Sequence, residues 1–468
     1  EHHLSHAASA FFASPFPEAA VLTIDGVGEW TTTALGHAQA SWSDGSQNRI
    51  NLTSEIRFPH SLGLLYSAFT AWLGFRVNNG EYKVMGMAPY GRPTYMDKLE
   101  QLITVYDDGS FWLNMDYFSY HYSADRTFSG KFVSLWGEPR THETDFFCET
   151  TGHDLTGREA QAKRNQYYAD VAASVQRLTE DTLLRMVNHL HRQTGLDCLA
   201  MAGGVALNSV ANGRIVRETP FHQVYIQPAA GDAGGALGAA LYAHHVLLQQ
   251  PRRFVMEHAY YGEAFSEQSC IDFLQANGIP FQLTEEEILA DLVSEALADG
   301  LVVGLFQGRF EWGPRALGNR SILADPRRAE MKDIVNTKIK FREPFRPFAP
   351  VVPEEQAAAY FDLGAAQSQF PPRFMLMVSD IHPHRQEEIP AVCHMGTGRL
   401  QTIQRAFNQR YYDIVEAFGS RTGTPVLLNT SFNLRGEPIV ATPDDAFQTF
   451  SRSDIDLLVL ERCIIRKP

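Results

Sequence analysis

The sequence predicts an α/β protein of two domains, on three observations. Apolar runs of strand length end twice in glycine-rich turns that open helical patterns, at DCLAMAGGVALNS and at VYIQPAAGDAGGALGAA. Strands alternating with helices in this way build sheets with helices on their faces. A helical periodicity over roughly 166 to 195 (Val171, Val175, Leu178, Leu183, Leu184, Val187, Leu190) leads into the first of these turns. VLLQQPRRFVMEHAY, residues 246 to 260, then changes the texture, with Pro251 and two arginines where the glycine-rich half ends. We therefore expect domains 1–255 and 256–468, since 468 residues exceed one ordinary domain.

Composition narrows the class. Hydrophobic content of 44% and charged content of 20% are those of a soluble globular protein, and no apolar run reaches a membrane span. Cys148, Cys198, Cys270, Cys393 and Cys463 are scattered and form no CxxC pair, against both a disulfide framework and a zinc knuckle. A reducing cytoplasm fits. The net charge of −14 disfavours nucleic acid and makes a neutral or cationic substrate easier to accept. Glu1 follows no initiator Met and no signal-like run, which reads as a truncation point.

The elements follow in order. HHLSHAASA, as a helix, puts His2 and His6 one turn apart on one face, a spacing that suits two imidazoles on one metal. Residues 19–36, AAVLTIDGVGEWTTTALG, give a strand ending at Asp25, a glycine turn and a Thr-rich strand: a hairpin with a carboxylate at its bend. Residues 61–91 start as an apolar helix and continue as a glycine-punctuated loop carrying Glu81 and Lys83. A strand over 198–202 stops at Gly203 and Gly204, with a helix from about Val205; a strand over 224–227 precedes a loop with Asp232, then Gly234 and Gly235. Glycine doublets at helix starts admit phosphate oxygens to backbone N–H groups. Such turns also serve simple close packing, but two in succession, with Asn208 and Asp232 beside them, point to a nucleotide cleft.

In the second half, a helix over 284–298 and a strand over 301–308 lead to RFEWGPRALGNRSILADPR, where Arg315 and Arg320 bracket Gly318 in a loop suited to carboxylate or phosphate capture. KIKFREPFRPFAPVV adds Lys340, Arg342 and Arg346 among prolines and aromatics. A strand over 425–428 delivers Asn429, Thr430, Ser431 and Asn433 into a loop, residue types that suit phosphates, a sugar or a carbamoyl group and equally make ordinary turns.

HHLSHAASA, LTIDGVGE, EYKVMGMAPYG, AGGVALNS and GDAGGALGAA, in this order, resemble the O-carbamoyltransferases of antibiotic and nodulation-factor biosynthesis. The resemblance covers essentially the whole chain. It implies a first domain of the actin/hexokinase-like superfamily, similar to the Kae1-like proteins of tRNA threonylcarbamoylation and N-terminally incomplete here by roughly a hundred residues. A YrdC-like, adenylate-forming α/β domain would follow. It implies iron, or another divalent transition metal, on His2, His6 and Asp232, with Asp25 close by as a catalytic group. In the second domain it implies ATP with Mg²⁺ and carbamoyl phosphate, handled by Arg315, Lys340, Arg346, Asn429 and Ser431. HMGTGRLQT adds His394 and Arg399, although this stretch lacks the usual acidic residue before its glycine and is a residue short. Gly203, Gly204, Asn208, Gly234 and Arg320 complete the expected nucleotide contacts.

The implied reaction forms carbamoyl-adenylate and then moves the carbamoyl group to a hydroxylated small-molecule acceptor. Neither nucleic acid nor membrane is expected as a partner, and self-association stays open. Holding both sites on one chain would guard an unstable intermediate from water. Two other classes compete: a small-molecule kinase of the actin/hexokinase superfamily, which leaves the basic second half without a task, and a threonylcarbamoyl tRNA-modification or maturation factor, which the acidic balance disfavours.

Overall fold

The structure, a computed structural model, describes residues 1–142, 144–151, 154–364 and 370–467. The chain divides into two compact units, Glu1–Met256 with Gly364–Pro371, and Glu257–Leu363 with Pro372–Pro468. Both mix helices and sheets, so the α/β class holds. Among the described residues no helix is long and apolar enough to cross a membrane, and all five cysteines are free.

The first unit is built on a five-stranded sheet ordered Arg49–Arg57, Thr31–Gln39, Glu18–Gly28, Cys198–Ala202, Gln223–Ile226. The first three strands form an antiparallel meander; Cys198–Ala202 joins Glu18–Gly28 in parallel, Ala20 opposite Leu199 and Thr23 opposite Ala202. The strand runs past Asp25 to Gly28 and the hairpin turns at Glu29–Trp30. Asp25 thus lies at an irregularity within the strand and not at the hairpin bend the sequence suggested; the register brings it beside the Gly203–Gly204 turn. The helix His2–Phe11 buries Ala7, Ala8, Ala10 and Phe11 completely. Its far end is closed by Arg252, whose fully buried guanidinium donates to the carbonyls of Phe11, Phe12, Ser14 and Phe16. A cation at a helix C-terminus also meets the negative end of its dipole. The helix expected over 166–195 is present as Glu159–Thr194, ended by Gly195 in the left-handed conformation.

The region 77–91 departs from expectation. Glu81–Met87 is helical, with Glu81 in its first turn, where a carboxylate suits the helix dipole; the carboxylate accepts from the N–H groups of Asn78 and Gly80 and from Ser67 Oγ, which ties the preceding loop to the helix start.

The second unit carries a nine-stranded sheet ordered Met377–Asp380, Thr397–Ile403, Ala349–Pro353, Leu427–Ser431, Arg320–Ala324, Val303–Phe306, Leu457–Leu460, Cys463–Arg466, Gln282–Leu283. Helices Glu286–Ala298 and Gln409–Thr422 cover one face, with Leu289, Val293 and Leu297 packed with Tyr411, Val415 and Phe418 over Leu323, Leu427 and Val459. Each such fully buried side chain contributes about 2 kcal/mol. Side chains alternate along a strand, so Leu427, Asn429 and Ser431 share one face, as do Arg399, Gln401 and Ile403. Toward the Ser431 end of this face the apolar lining of Leu427 gives way to polar residues.

Two expectations change here. Asn429, Thr430 and Ser431 lie on the strand itself, not in a following loop. Arg320 opens a strand and is fully buried; its guanidinium sits 3.7 Å over the Phe306 ring and donates to the carbonyls of Gln307, Gly308 and Asn319. It braces the turn and presents no open fork to an anion.

Candidate functional site

In the first unit the histidine helix meets the strand irregularity that carries Asp25. His2 Nε2 and His6 Nε2 are 2.9 Å apart, and both face Asp25 Oδ2, at 3.1 and 2.8 Å. Asp232 Oδ1 stands 3.4 and 3.5 Å from the same nitrogens. One donor atom from each of these residues lies within 4.8 Å of all the others. The i, i+4 spacing therefore does what the sequence promised, and Asp25, expected only nearby, stands in the cluster.

Asp25 is held rigidly for this. Asp25 Oδ1 accepts from Gly26 N–H at 2.8 Å and Gly204 N–H at 3.0 Å, leaving Oδ2 to the imidazoles. Gly203, at φ +97°, runs against the Ile24 backbone where a Cβ would stand 2.1 Å from its carbonyl, so only glycine brings the second turn this close. Burial alone would raise the Asp25 carboxyl, but the hydrogen bonds of His6 and His2 outweigh it and hold the group well below the usual carboxylate range. His3 points away and fastens the hairpin: Nε2 donates to Thr31 O at 2.8 Å and Nδ1 receives the Thr23 hydroxyl at 2.7 Å. Burial pushes the His3 imidazole down to about 4, so it is neutral.

The expected nucleotide contacts in this unit are engaged internally. Gly204 N–H holds Asp25, so the anion on that glycine turn is the protein's own. Gly203 N–H donates to Ala230 O, and Gly234 N–H to Gly231 O. Asn208 caps the helix Ser209–Glu218 through Ala211 N–H and pairs with Gln176 in both directions, at 3.0 and 3.1 Å.

The second unit gathers another group. Lys340, 3% exposed, reaches Ser431 O at 2.7 Å, Ser431 Oγ at 3.3 Å, Asn433 O at 2.9 Å and Asn433 Oδ1 at 2.5 Å. Burial, then the charges of Arg342 and Arg346, hold its ammonium well below the ordinary lysine value. A buried amine with other cations close by and no carboxylate hydrogen-bonded to it is a place where an anion is welcome. Arg346 pairs with Glu343 at 3.5 Å.

Arg315 stands on a loop pinned almost atom by atom. Buried Glu311 accepts from the N–H groups of Leu317 (2.7 Å), Asn319 (2.8 Å) and Arg320 (3.3 Å); Ala316 O receives Asn429 Nδ2, and Leu317 O receives both Gln401 Nε2 and the Tyr260 hydroxyl. His394 is buried at the turn before the strand that carries Arg399. Sequence reading missed Glu311, Gln401 and Tyr260. Gln401 alone carried a signal, standing two residues from Arg399 and hence on its face.

Comparison with known proteins gives a consistent result. A family model described as Carbamoyltransferase N-terminus matches residues 1–241, and one described as Carbamoyltransferase C-terminus matches residues 294–467. An uncharacterized protein of Synechocystis is 45% identical, aligned with all of this chain and 76% of its own length. Nodulation protein NolNO of Sinorhizobium fredii is 38% identical and nodulation protein NolO of Bradyrhizobium diazoefficiens 36%; each aligns with all of this chain, which spans 63% and 78% of their lengths.

Proposed function

The chain belongs to the carbamoyltransferase family, and from that premise we propose that it is an ATP-dependent O-carbamoyltransferase acting on a hydroxyl of a small natural product. In this reading the first unit is actin/hexokinase-like and transfers the group, and the second is YrdC-like and activates it. The observation that supports it most is the cluster of His2, His6, Asp25 and Asp232.

The donor set fits a transition metal. Two imidazoles and two carboxylates suit Fe²⁺ or a similar divalent ion, and both imidazole nitrogens aim at one point, as ligands do. When bound, such an ion supplies Lewis-acid polarisation of the carbamoyl carbonyl. His2 and His6 would hold it from the helix together with Asp232 and Asp25, whose Oδ1 is kept on two backbone amides.

Activation belongs to the second unit. Carbamoyl phosphate, ATP and one water balance against carbamoyl-adenylate, phosphate and pyrophosphate. A carbamate oxygen, freed of its phosphate by water, bonds to the α-phosphorus, and pyrophosphate leaves. Lys340, Arg315 and Arg346 neutralise the phosphate oxygens beside Mg²⁺, and Ser431 and Asn429 orient the small donor. His394 and Arg399 complete that lining. In the transfer step the acceptor oxygen bonds to the carbamoyl carbon, AMP leaves, and the hydroxyl proton is lost.

The test is mass spectrometry of a reaction containing ATP, carbamoyl phosphate and a panel of hydroxylated natural products. The expected result is AMP together with an acceptor heavier by one CONH group. Release of ADP independent of carbamoyl phosphate would mean a kinase and end the proposal.

A further inference from the structure

We infer that Gln401 is a positioning residue for the activation step: it fixes which end of the Asn429 amide is left to meet the donor, and so makes the site choose a carbamoyl group over an acetyl group. The inference rests on the reading of this group of residues as the activating site.

Gln401 and Asn429 stand on strands flanking Ala349–Pro353, with Val351 opposite Gln401 and Ala349 opposite Asn429. Each is 1% exposed. Ala316 O only accepts, so the Asn429 atom 3.1 Å from it is the amide nitrogen. The second hydrogen of that nitrogen goes to Gln401 Oε1 at 2.6 Å. Gln401 is itself fixed, because its Nε2 donates to Leu317 O at 2.9 Å and reversal would set oxygen against a carbonyl. Both hydrogens of Asn429 Nδ2 are thereby used, and its buried Oδ1 has no hydrogen-bond partner among the described residues.

A buried acceptor of fixed direction is unfavourable until something donates to it. A carbamoyl group offers N–H; an acetyl group offers a methyl in the same place. Were Asn429 to turn over, it would present hydrogens to hydrogens, and the preference for carbamoyl would vanish. Turning is opposed twice, by Ala316 O and by Gln401 Oε1, and losing Gln401 removes the shorter of the two contacts. Gln401 need not touch the donor at all.

The experiment measures ATP-to-AMP conversion with carbamoyl phosphate and with acetyl phosphate, in the wild type, Gln401→Leu and Gln401→Glu. Leucine removes the acceptor for Asn429, so kcat/KM for carbamoyl phosphate should fall about 10- to 100-fold, mostly through KM, while acetyl phosphate is unaffected. Glutamate, kept protonated by burial, donates its O–H to Leu317 O in place of Nε2 and keeps the other oxygen as the acceptor for Asn429, so Gln401→Glu should restore most of the ratio. A folded Gln401→Leu with an unchanged ratio overturns the inference, as does an equal loss for both donors in both variants. Should Gln401→Leu not fold, the wild type decides: phosphonoacetamide must inhibit more strongly than its methyl-ketone analogue, acetonylphosphonate, and equal inhibition sinks the idea. Absence of any AMP from carbamoyl phosphate in the wild type is a different failure, that of the proposed function.

Discussion

The two sites differ in what holds their side chains in place. In the first unit, His2 and Asp232 are 28% and 78% exposed along their side chains, and the four donors mainly face one another. His6 Nδ1 is buried with no hydrogen-bond partner, where ligating imidazoles usually have one. In the second unit Lys340, Asn429 and Gln401 are almost sealed and tied to backbone carbonyls. The first arrangement leaves four donor atoms gathered together, and the second is fixed by the protein's own carbonyls save for Asn429 Oδ1.

The sharpest way to break the comparison is reciprocal substitution. Lys340→Met should lower carbamoyl-phosphate-dependent AMP formation by about 10²- to 10³-fold, with bound metal unchanged by elemental analysis. His6→Ala should lose the metal and carbamoylated product while pyrophosphate is still released from ATP and carbamoyl phosphate. If either variant lost both activities while folded, the two sites would not be separate.

Next in size is metal removal. Chelation followed by return of Mg²⁺ should leave pyrophosphate release intact and abolish product, and Fe²⁺ should restore it. A product yield indifferent to chelation would remove the ion from the scheme. Within the cluster, Asp25→Asn should weaken metal binding more than Asp232→Asn, because Asp25 lies closer to both imidazoles and is fixed by two amides. We expect losses in affinity of about 10- to 100-fold, measured by competition with a chromophoric chelator.

The smallest effect concerns Glu311. Burial lifts its carboxyl above the ordinary glutamate value. The folded protein therefore holds this proton more tightly than the unfolded chain does; the favourable contribution is full below about pH 4.3 and is lost as pH rises through the raised value. Glu311→Gln keeps an acceptor for the three amides and does not titrate. The melting temperature of the variant relative to wild type should rise between pH 5 and pH 8, by about 2 to 4 °C per kcal/mol. A difference independent of pH would show that Glu311 stays ionised.

Much of this was legible where the chemistry is local. The His2 and His6 pair needs only helical spacing, and the strand 198–202 was read with the bounds it has. What escaped depends on distant partners. Asp25 enters the cluster because parallel pairing sets it beside Gly204, 179 positions along the chain. Arg320 looked like an anion fork, yet its guanidinium is taken by Phe306, Gln307 and Gly308 on the neighbouring strand end, and residue type does not tell which way a guanidinium turns. Gln401 shows in sequence only its place two residues from Arg399; its role lies in the amide it faces.

Arg252 bears on how the protein is to be dissected. A fragment stopped at the apparent domain edge near residue 250 would strip the carbonyls of Phe11, Phe12, Ser14 and Phe16 of their shared donor. Excising the first unit therefore calls for a terminus beyond Met256, where Ala13 O also receives the Met256 amide. Shorter pieces should lose thermal stability first at the very helix whose opposite end bears the imidazoles.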